Sequence, residues 1–504
     1  MMNLRDSKII IKDLGLLLML IAVSMMVPIF VGVVYPDSTA IPINSYDTID
    51  DFLLASALTG AIGAACYFLI GKIEEIGLKH AIAITVIFWP IASFFSSLPI
   101  YTSGVSPSFI DGYFEALSGW TTTGLSTIAG GGAGLGADLF PHSINMWRHL
   151  LQFMGGIGIL LISLVVLTQA RTGSESITGA ASEFSSDRVR PSIMSTAKTL
   201  LYLFLLLLFV CSMILFIAGM NPFDAVNHAM AGLCTGGFST HGDSIAYFNN
   251  PVIYMATVIV MIIGSTNFAV HLTVFSGNYR EFFKNVETRA FMVLLLAFTV
   301  VGALWLSSPT GYGTESTDAL QNSFYHVVSS MTTTGWSIVP AGVFPAFFSP
   351  MFIFMLTICM LIGGSSASTS GGIRQIRLVL ILKSIWWHIK KALMPPTVVF
   401  PRNYYLLVKK TVTDSRMADI YLFVSIYLLT VLLSACALMA YGYSVESSLF
   451  EPASALTSTG LSTGVTSFTA PLGVKMILMI DMWFGRIDVI PVLLFVASFS
   501  RKFR

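Results

Sequence analysis

The chain reads as an all-α integral membrane protein, on three observations. Only 11% of its 504 residues are Asp, Glu, Lys or Arg, and 55% are hydrophobic, whereas a soluble domain carries about 25% charged residues. Ten apolar runs reach or approach the ~20 residues a helix needs to cross a bilayer. Four short threonine-rich segments recur between the later runs. These predict ten transmembrane helices: four pseudo-repeated helix–pore loop–helix units around one central pore, plus an N-terminal helical hairpin. With 27 basic against 26 acidic side chains, a nucleic-acid binder built on a basic face is excluded.

The first two runs, 14–34 and 52–70, form the hairpin, residues 1–76. Arg5, Lys8 and Lys12 precede the first run, as in a signal peptide. Its apolar core is too long for one, and no small-x-small cleavage site follows. Runs 80–99 and 145–169 frame unit 1 (77–175). Runs 198–219 and 251–276 frame unit 2 (190–280). Runs 289–307 and 350–363, with a continuation past 374, frame unit 3 (286–395). Runs 417–440 and 473–498 frame unit 4 (412–504). Basic residues gather in the loops between runs 2 and 3, 4 and 5, 6 and 7, and 8 and 9, which the positive-inside rule makes cytoplasmic, together with both termini. That puts 23 bases and 11 acids inside, and 13 acids with only Arg148 and Lys475 outside. The near-zero net charge is a cancellation between two faces. Cys66, Cys211, Cys234, Cys359 and Cys436 are odd in number and widely spaced, and read as small hydrophobes rather than a disulfide or metal framework.

The repeat carries the chemistry. Phe114–Thr127 reads FEALSGWTTTGLST, Asn227–Thr240 NHAMAGLCTGGFST, Tyr325–Ile338 YHVVSSMTTTGWSI and Phe450–Thr463 FEPASALTSTGLST. The four align without a gap on Gly124, Gly237, Gly335 and Gly460. Nine residues earlier stand Glu115, His228, His326 and Glu451; two residues later stand Ser126, Ser239, Ser337 and Ser462. About ten apolar residues cannot cross a bilayer, so each segment should enter as a half-helix and return. Irregular backbone at that depth has to line a water-filled cavity. Glycine can take a positive φ there and turn its carbonyl inward. Four such turns about one axis make rings of oxygen that replace an ion's hydration shell. Half-helices ending at the filter point their negative ends into the cavity below, which favours a cation. The candidate filter is Thr122, Thr123, Gly124 and Leu125; Thr235, Gly236, Gly237 and Phe238; Thr333, Thr334, Gly335 and Trp336; and Ser458, Thr459, Gly460 and Leu461.

From Pro350 to Lys391 a single helix would be about 63 Å long, twice the hydrocarbon thickness. Ten small residues interrupt it: Gly363, Gly364, Ser365, Ser366, Ala367, Ser368, Thr369, Ser370, Gly371 and Gly372. A packing face would place small residues every fourth position, so a break is expected, facing the conduction path and suited to act as a gating loop. Arg486 lies mid-span, where an arginine costs about 2.5–3.5 kcal/mol. It can contact the loop's carbonyls, set a positive barrier in the path, or pair with Asp481 or Asp488. Arg148 reads as an interfacial snorkel or a partner of Glu115. GGIGI at Gly155–Ile159 follows no strand and reads as helix packing, not a nucleotide loop.

With WRHLLQFMGGIGI (Trp147–Ile159), IGGSSASTSGGIR (Ile362–Arg374) and FGRIDV (Phe484–Val489), the sequence resembles the Trk/Ktr/HKT superfamily of potassium transporters, most of all its bacterial TrkH/TrkG branch. The resemblance covers units 1 to 4, and residues 1–76 resemble that branch's extra hairpin. It implies K+ as the transported and bound ion, with potassium preference because all four filter positions are glycine. It implies that residues 363–372 are an intramembrane gate and that Arg486 is a gate residue. It also implies a homodimer in lipid at the bacterial inner membrane, on a cytoplasmic nucleotide-binding ring of the TrkA type. ATP or NAD would act only through that separate subunit, and no covalent cofactor is expected. Cys234-Thr235-Gly236-Gly237 departs from the TTTG pattern.

Three function classes follow. A channel-like potassium uptake protein is supported by the filter. A symporter coupling K+ to H+ or Na+ would draw on His228, His326, Asp481 or Asp488. An intramembrane enzyme finds no HExxH motif and no credible serine nucleophile.

Overall fold

The computed structural model describes residues 4–35, 48–70, 78–129, 136–170, 193–308, 316–340, 342–395, 402–406 and 408–499. The basic loop expected at 171–192, Lys72, and the tail with Arg501, Lys502 and Arg504 lie outside the described residues. In chain order the helices are α1 (Leu4–Ser24), α2 (Met26–Val34), α3 (Thr48–Phe68), α4 (Leu78–Thr102), α5 (Phe109–Trp120), α6 (His142–Ala170), α7 (Ile193–Ile217), α8 (Pro222–Leu233), α9 (Pro251–Ser265), α10 (Phe268–Phe275), α11 (Arg280–Lys284), α12 (Val286–Leu306), α13 (Ser316–Met331), α14 (Phe344–Phe347), α15 (Pro350–Ile362) and α16 (Gln375–Ala392). An antiparallel hairpin follows, β1 (Asn403–Leu406) and β2 (Val408–Thr411), and then α17 (Asp414–Ala440), α18 (Val445–Leu456), α19 (Leu472–Ile487) and α20 (Val489–Phe499).

Six helical segments among the described residues are long and apolar enough to cross a bilayer: Asp6–Val34, Thr48–Phe68, His80–Thr102, Ala197–Ile217, Val286–Leu306 and Asp414–Ala440. The other expected runs fall on α6 and on broken elements. Run 251–276, expected as one span, bends by 103° between α9 and α10. Asn267 starts the new helix after the bend: its side chain accepts from Ala269 N and caps α10. Run 473–498 breaks at Asp488, whose φ of 65° and ψ of 145° take the chain out of helical geometry. The first span starts eight residues earlier than expected, at Asp6, so that Lys8 and Lys12 lie inside α1.

Glycines set the closest packing. A Cβ on Gly15 would lie 2.7 Å from the Gly63 carbonyl, and one on Gly63 equally near the Gly15 carbonyl, so α1 and α3 meet backbone to backbone. Three second helices grip the C-terminal carbonyl of their half-helix in the same way. A Cβ on Gly155 would fall 2.0 Å from Trp120 O, on Gly264 2.6 Å from Leu233 O, and on Gly485 1.8 Å from Leu456 O. The GGIGI segment is thus a helix-packing face, as its sequence context suggested. Large apolar side chains such as Leu20, Val23, Phe30, Tyr202, Phe209, Leu432 and Leu433 stay exposed on the helix surfaces, the surplus that lipid covers.

Candidate functional site

The half-helices α5, α8 and α18 begin on side-chain caps: Ser108 accepts from Asp111 N, Asn221 from Asp224 N and Ser444 from Ser447 N. At 12 residues each they are about 18 Å long, too short to cross. All four half-helices, α13 included, end alike. Thr123 N donates to Ser118 O and Thr122 N to Gly119 O. Gly236 and Thr235, Thr334 and Thr333, and Thr459 and Ser458 make the corresponding pairs of bonds. This is a Schellman ending, which puts one residue in the left-handed region, usually glycine. Here that residue is Thr122 (φ 51°), Thr235 (49°), Thr333 (54°) or Ser458 (54°). A non-glycine residue there costs about 1–2 kcal/mol, and this chain accepts it four times. Two residues on, Gly124, Gly237, Gly335 and Gly460 again have positive φ, from 76° to 93°.

The four turns close into a ring. A Cβ on Gly124 would fall 2.2 Å from Gly236 O, on Gly237 2.0 Å from Thr334 O, on Gly335 1.8 Å from Thr459 O, and on Gly460 2.3 Å from Thr123 O. Each filter glycine therefore abuts the carbonyl just before the glycine of the next unit, in the order one, two, three, four, one. The Thr122 and Ser458 hydroxyls are buried without a hydrogen-bond partner. The following residues, Leu125, Phe238, Trp336 and Leu461, bury their side chains; Trp336 Nε1 donates to Phe238 O at 3.0 Å.

The repeated positions around each glycine are in contact. Ser126 donates to Glu115 at 2.7 Å and Ser462 to Glu451 at 2.6 Å. His228 Nε2 and His326 Nε2 each lie 3.0 Å from the hydroxyl of Ser239 and Ser337. Four latches thus tie each half-helix to the strand leaving its turn. The other ring nitrogen of each histidine bonds a backbone carbonyl, Asp224 O or Asn322 O. Arg148 does not snorkel: it is buried, donates to Glu115 at 2.7 Å and to Ser239 O at 3.1 Å, and lies 4.2 Å from the Phe238 ring centre. Its partnership with Glu115 is the reading that the structure supports.

Unit 2's departure has a physical reason. In units 1, 3 and 4 two threonine hydroxyls pair behind the turn, Thr121–Thr123, Thr332–Thr334 and Thr457–Thr459. In unit 2 Cys234 and Gly236 cannot. Gln152 from α6 fills the space: its Nε2 donates to Gly236 O at 2.5 Å and its Oε1 accepts from Phe238 N at 3.3 Å. Sequence reasoning missed Gln152, because the four segments hold no counterpart of it.

The chain from Gly363 to Gly372 lies directly against these turns. Thr369 Oγ1 donates to Leu233 O and Gly264 O, at 2.9 and 3.0 Å, and receives a 3.4 Å contact from Thr235 Oγ1. Gly371 N donates to Thr333 Oγ1 at 2.9 Å, and a Cβ on Gly371 would strike Thr457 O at 2.0 Å. Ser365 N donates to Ser265 O, and Phe268 N donates to Ala367 O, so the bend between α9 and α10 receives the loop. Ser368 Oγ bonds Ser365 O and the Ser370 hydroxyl. Gly363 and Gly372, both at positive φ, bring the two ends together, and Gly364 O accepts from Gln375 N. Ser366 N donates to Glu287 at 2.7 Å.

Arg486 joins this loop to unit 1. Its Nη1 donates to Thr369 O at 3.2 Å and its Nη2 to Gly155 O at 2.8 Å. Of the three sequence alternatives, contact with loop carbonyls is the one the geometry realises. The carboxylates go elsewhere: Asp481 accepts from Ser434, and Asp488 lies 3.9 Å from Arg377. Lys475 is buried against Asp111 at 2.6 Å.

On the acidic face a cavity of about 140 Å³ opens over the ring, lined by Gly124, Gly237, Gly335, Gly460, Arg148 and His241 among others. His241 bridges Asp138 at 2.5 Å and Asp224 at 3.2 Å and stacks on Tyr247. Burial works to lower the His241 pKa, but the bonds to Asp224 and Asp138 outweigh it and hold the pKa above its ordinary value.

Known proteins resemble the whole chain. Residues 48–502 match the TrkH family model, described as a cation transport protein. The Trk system potassium uptake protein TrkH of Escherichia coli K12 is 30% identical over 98% of this chain and 99% of its own. An uncharacterized cation transporter of Methanocaldococcus jannaschii is 28% identical over 99% of this chain and 97% of its own. The crystal structure of the potassium transporter TrkH from Vibrio parahaemolyticus superposes with a TM-score of 0.83 at 27% identity, covering 99% of both chains. The chain is a multi-pass membrane protein that belongs to the TrkH family of cation transport proteins.

Proposed function

We propose that this protein is a potassium-selective, ion-conducting uptake protein of the plasma membrane. The observation that carries the reading is the closed ring, in which each of four glycines abuts the carbonyl before the next unit's glycine. Alternating positive φ at Thr122 and Gly124, and at their three counterparts, turns successive carbonyls toward one axis. Such oxygens replace the hydration shell of a weakly hydrated cation. Below them the four Schellman residues present hydroxyls, and the half-helix C-termini add negative potential. The relatives' names specify potassium, and all four filter positions here are glycine.

The loop 363–372 and Arg486 form the gate in this reading. The loop touches the turns of units 2, 3 and 4, so an ion leaving the filter meets it. The acidic face receives the ion, the basic face and both termini are cytoplasmic, and cytoplasmic regulation, including any nucleotide effect, acts through a separate subunit on a homodimer. Of the groups that coupled symport would draw on, His228 and His326 spend both ring nitrogens on latches and carbonyls. In purified proteoliposomes, K+ flux should follow the K+ gradient alone. A flux that requires a proton or sodium gradient would overturn the uncoupled reading.

A further inference from the structure

We infer that Glu287 is a positioning residue that helps to hold the intramembrane loop closed. Glu287 is fully buried in the first turn of α12, far in sequence from the filter segments. Its Oε1 accepts the backbone N–H of Ser366, 79 residues away, at 2.7 Å. A carboxylate out of water is costly unless hydrogen bonds compensate it, and a helix N-terminus by itself asks only for an exposed acid. Here the carboxylate is turned into the protein, onto the loop.

The rest of the local structure keeps it there. Asn285 caps α12 by accepting from Glu287 N at 2.8 Å, and is itself fully buried. Val286 packs in a small apolar cluster with Ile376 and Leu380 of α16 and with Tyr404 and Leu406 of β1. The helix that follows the loop and the helix that bears Glu287 are therefore anchored in one block. From that block Glu287 reaches a loop residue three positions before the one that Arg486 holds. Arg486 fixes the carbonyl of Thr369, and Glu287 fixes the amide of Ser366. A guanidinium and a carboxylate thus bind two backbone groups of opposite polarity, and the Ser366 bond has to break before that part of the loop moves.

This inference rests on reading residues 363–372 as a gate, and the test separates the two. K+ efflux is measured from proteoliposomes holding equal amounts of the full-length protein, Glu287→Ala, Glu287→Gln, a loop-trimmed variant, and the loop-trimmed variant carrying Glu287→Ala. Breaking one charge-assisted hydrogen bond should raise efflux about tenfold in Glu287→Ala. Glu287→Gln keeps an acceptor oxygen and should fall between it and the full-length protein. In the trimmed background Glu287→Ala should change nothing further. If trimming raises efflux but Glu287→Ala does not, or shifts it equally in both backgrounds, Glu287 does not act through the loop. If Glu287→Ala abolishes efflux in both, its role is only to build the fold. If trimming itself leaves efflux unchanged, the gate reading fails and this inference falls with it.

Discussion

Replacing Gly124 by serine tests the filter through a contact that the sequence does not show. Gly124 has φ 88°, and a Cβ there would sit 2.2 Å from Gly236 O. Real Cβ contacts do not fall below 3.0 Å, so one side must retreat by about 0.8 Å or more. The serine also carries about 1–2 kcal/mol of left-handed strain. The group in its way is Gly236 O, which Gln152 Nε2 already binds at 2.5 Å. The damage therefore falls on unit 2's oxygen although the substitution is in unit 1. Losing one oxygen of four should cost roughly 1–2 kcal/mol of discrimination, a 5–30-fold drop in K+ over Na+ preference. The assay is paired K+ and Na+ uptake in proteoliposomes, with Gly335→Ser alongside because its Cβ would come closer still, 1.8 Å from Thr459 O. Unchanged selectivity in both variants would refute the ring as the selectivity element.

The other expectations concern the gate, the latches and the mouth. Trimming residues 363–372 should raise K+ flux; lowered flux with intact folding would sink the gate assignment. Arg486→Lys cannot span both Thr369 O and Gly155 O, so flux should rise several-fold, and wild-type flux would mean that the bridge does not restrain the loop. His326→Ala and Ser337→Ala should each destabilise the protein by about 1–3 kcal/mol. Their double mutant should show a coupling of about 0.5 kcal/mol or more, and strict additivity would deny the latch. Because the His241 pKa is raised in the folded state, its stabilisation is complete below the unfolded value of about 6.5. It is lost as pH rises through the raised value. Thermal stability of His241→Gln should therefore lack that alkaline decline, and parallel pH profiles for the two proteins would contradict it.

The sequence alone carried the repeat a long way. Glu115, His228, His326 and Glu451 and the serines eleven residues after them were visible as repeated positions, and each proves to be a hydrogen-bonded pair. The small-residue run 363–372 was legible as a break because ten such residues cannot present one helix face. The bend at Thr266–Asn267 was not, because Thr and Asn occur in ordinary polar loops, and only the loop packed against them shows why the helix turns there. Arg148 was half-read: its charge suggested either an interface or Glu115, and only burial beside Phe238 decides between them.

What the sequence determined by itself is the membrane class, the four turns and their chemistry, because composition and periodic spacing are local properties of a chain. What only the tertiary structure decided is which oxygen each glycine faces, that Gln152 stands in for unit 2's missing hydroxyls, and that Arg486 bonds Thr369 O and Glu287 bonds Ser366 N of the loop. Those pairings join residues dozens to hundreds of positions apart. Nothing in either segment names its partner, because the match is made by distance in the folded chain, where a buried carbonyl, amide or charge has to find the group that compensates it.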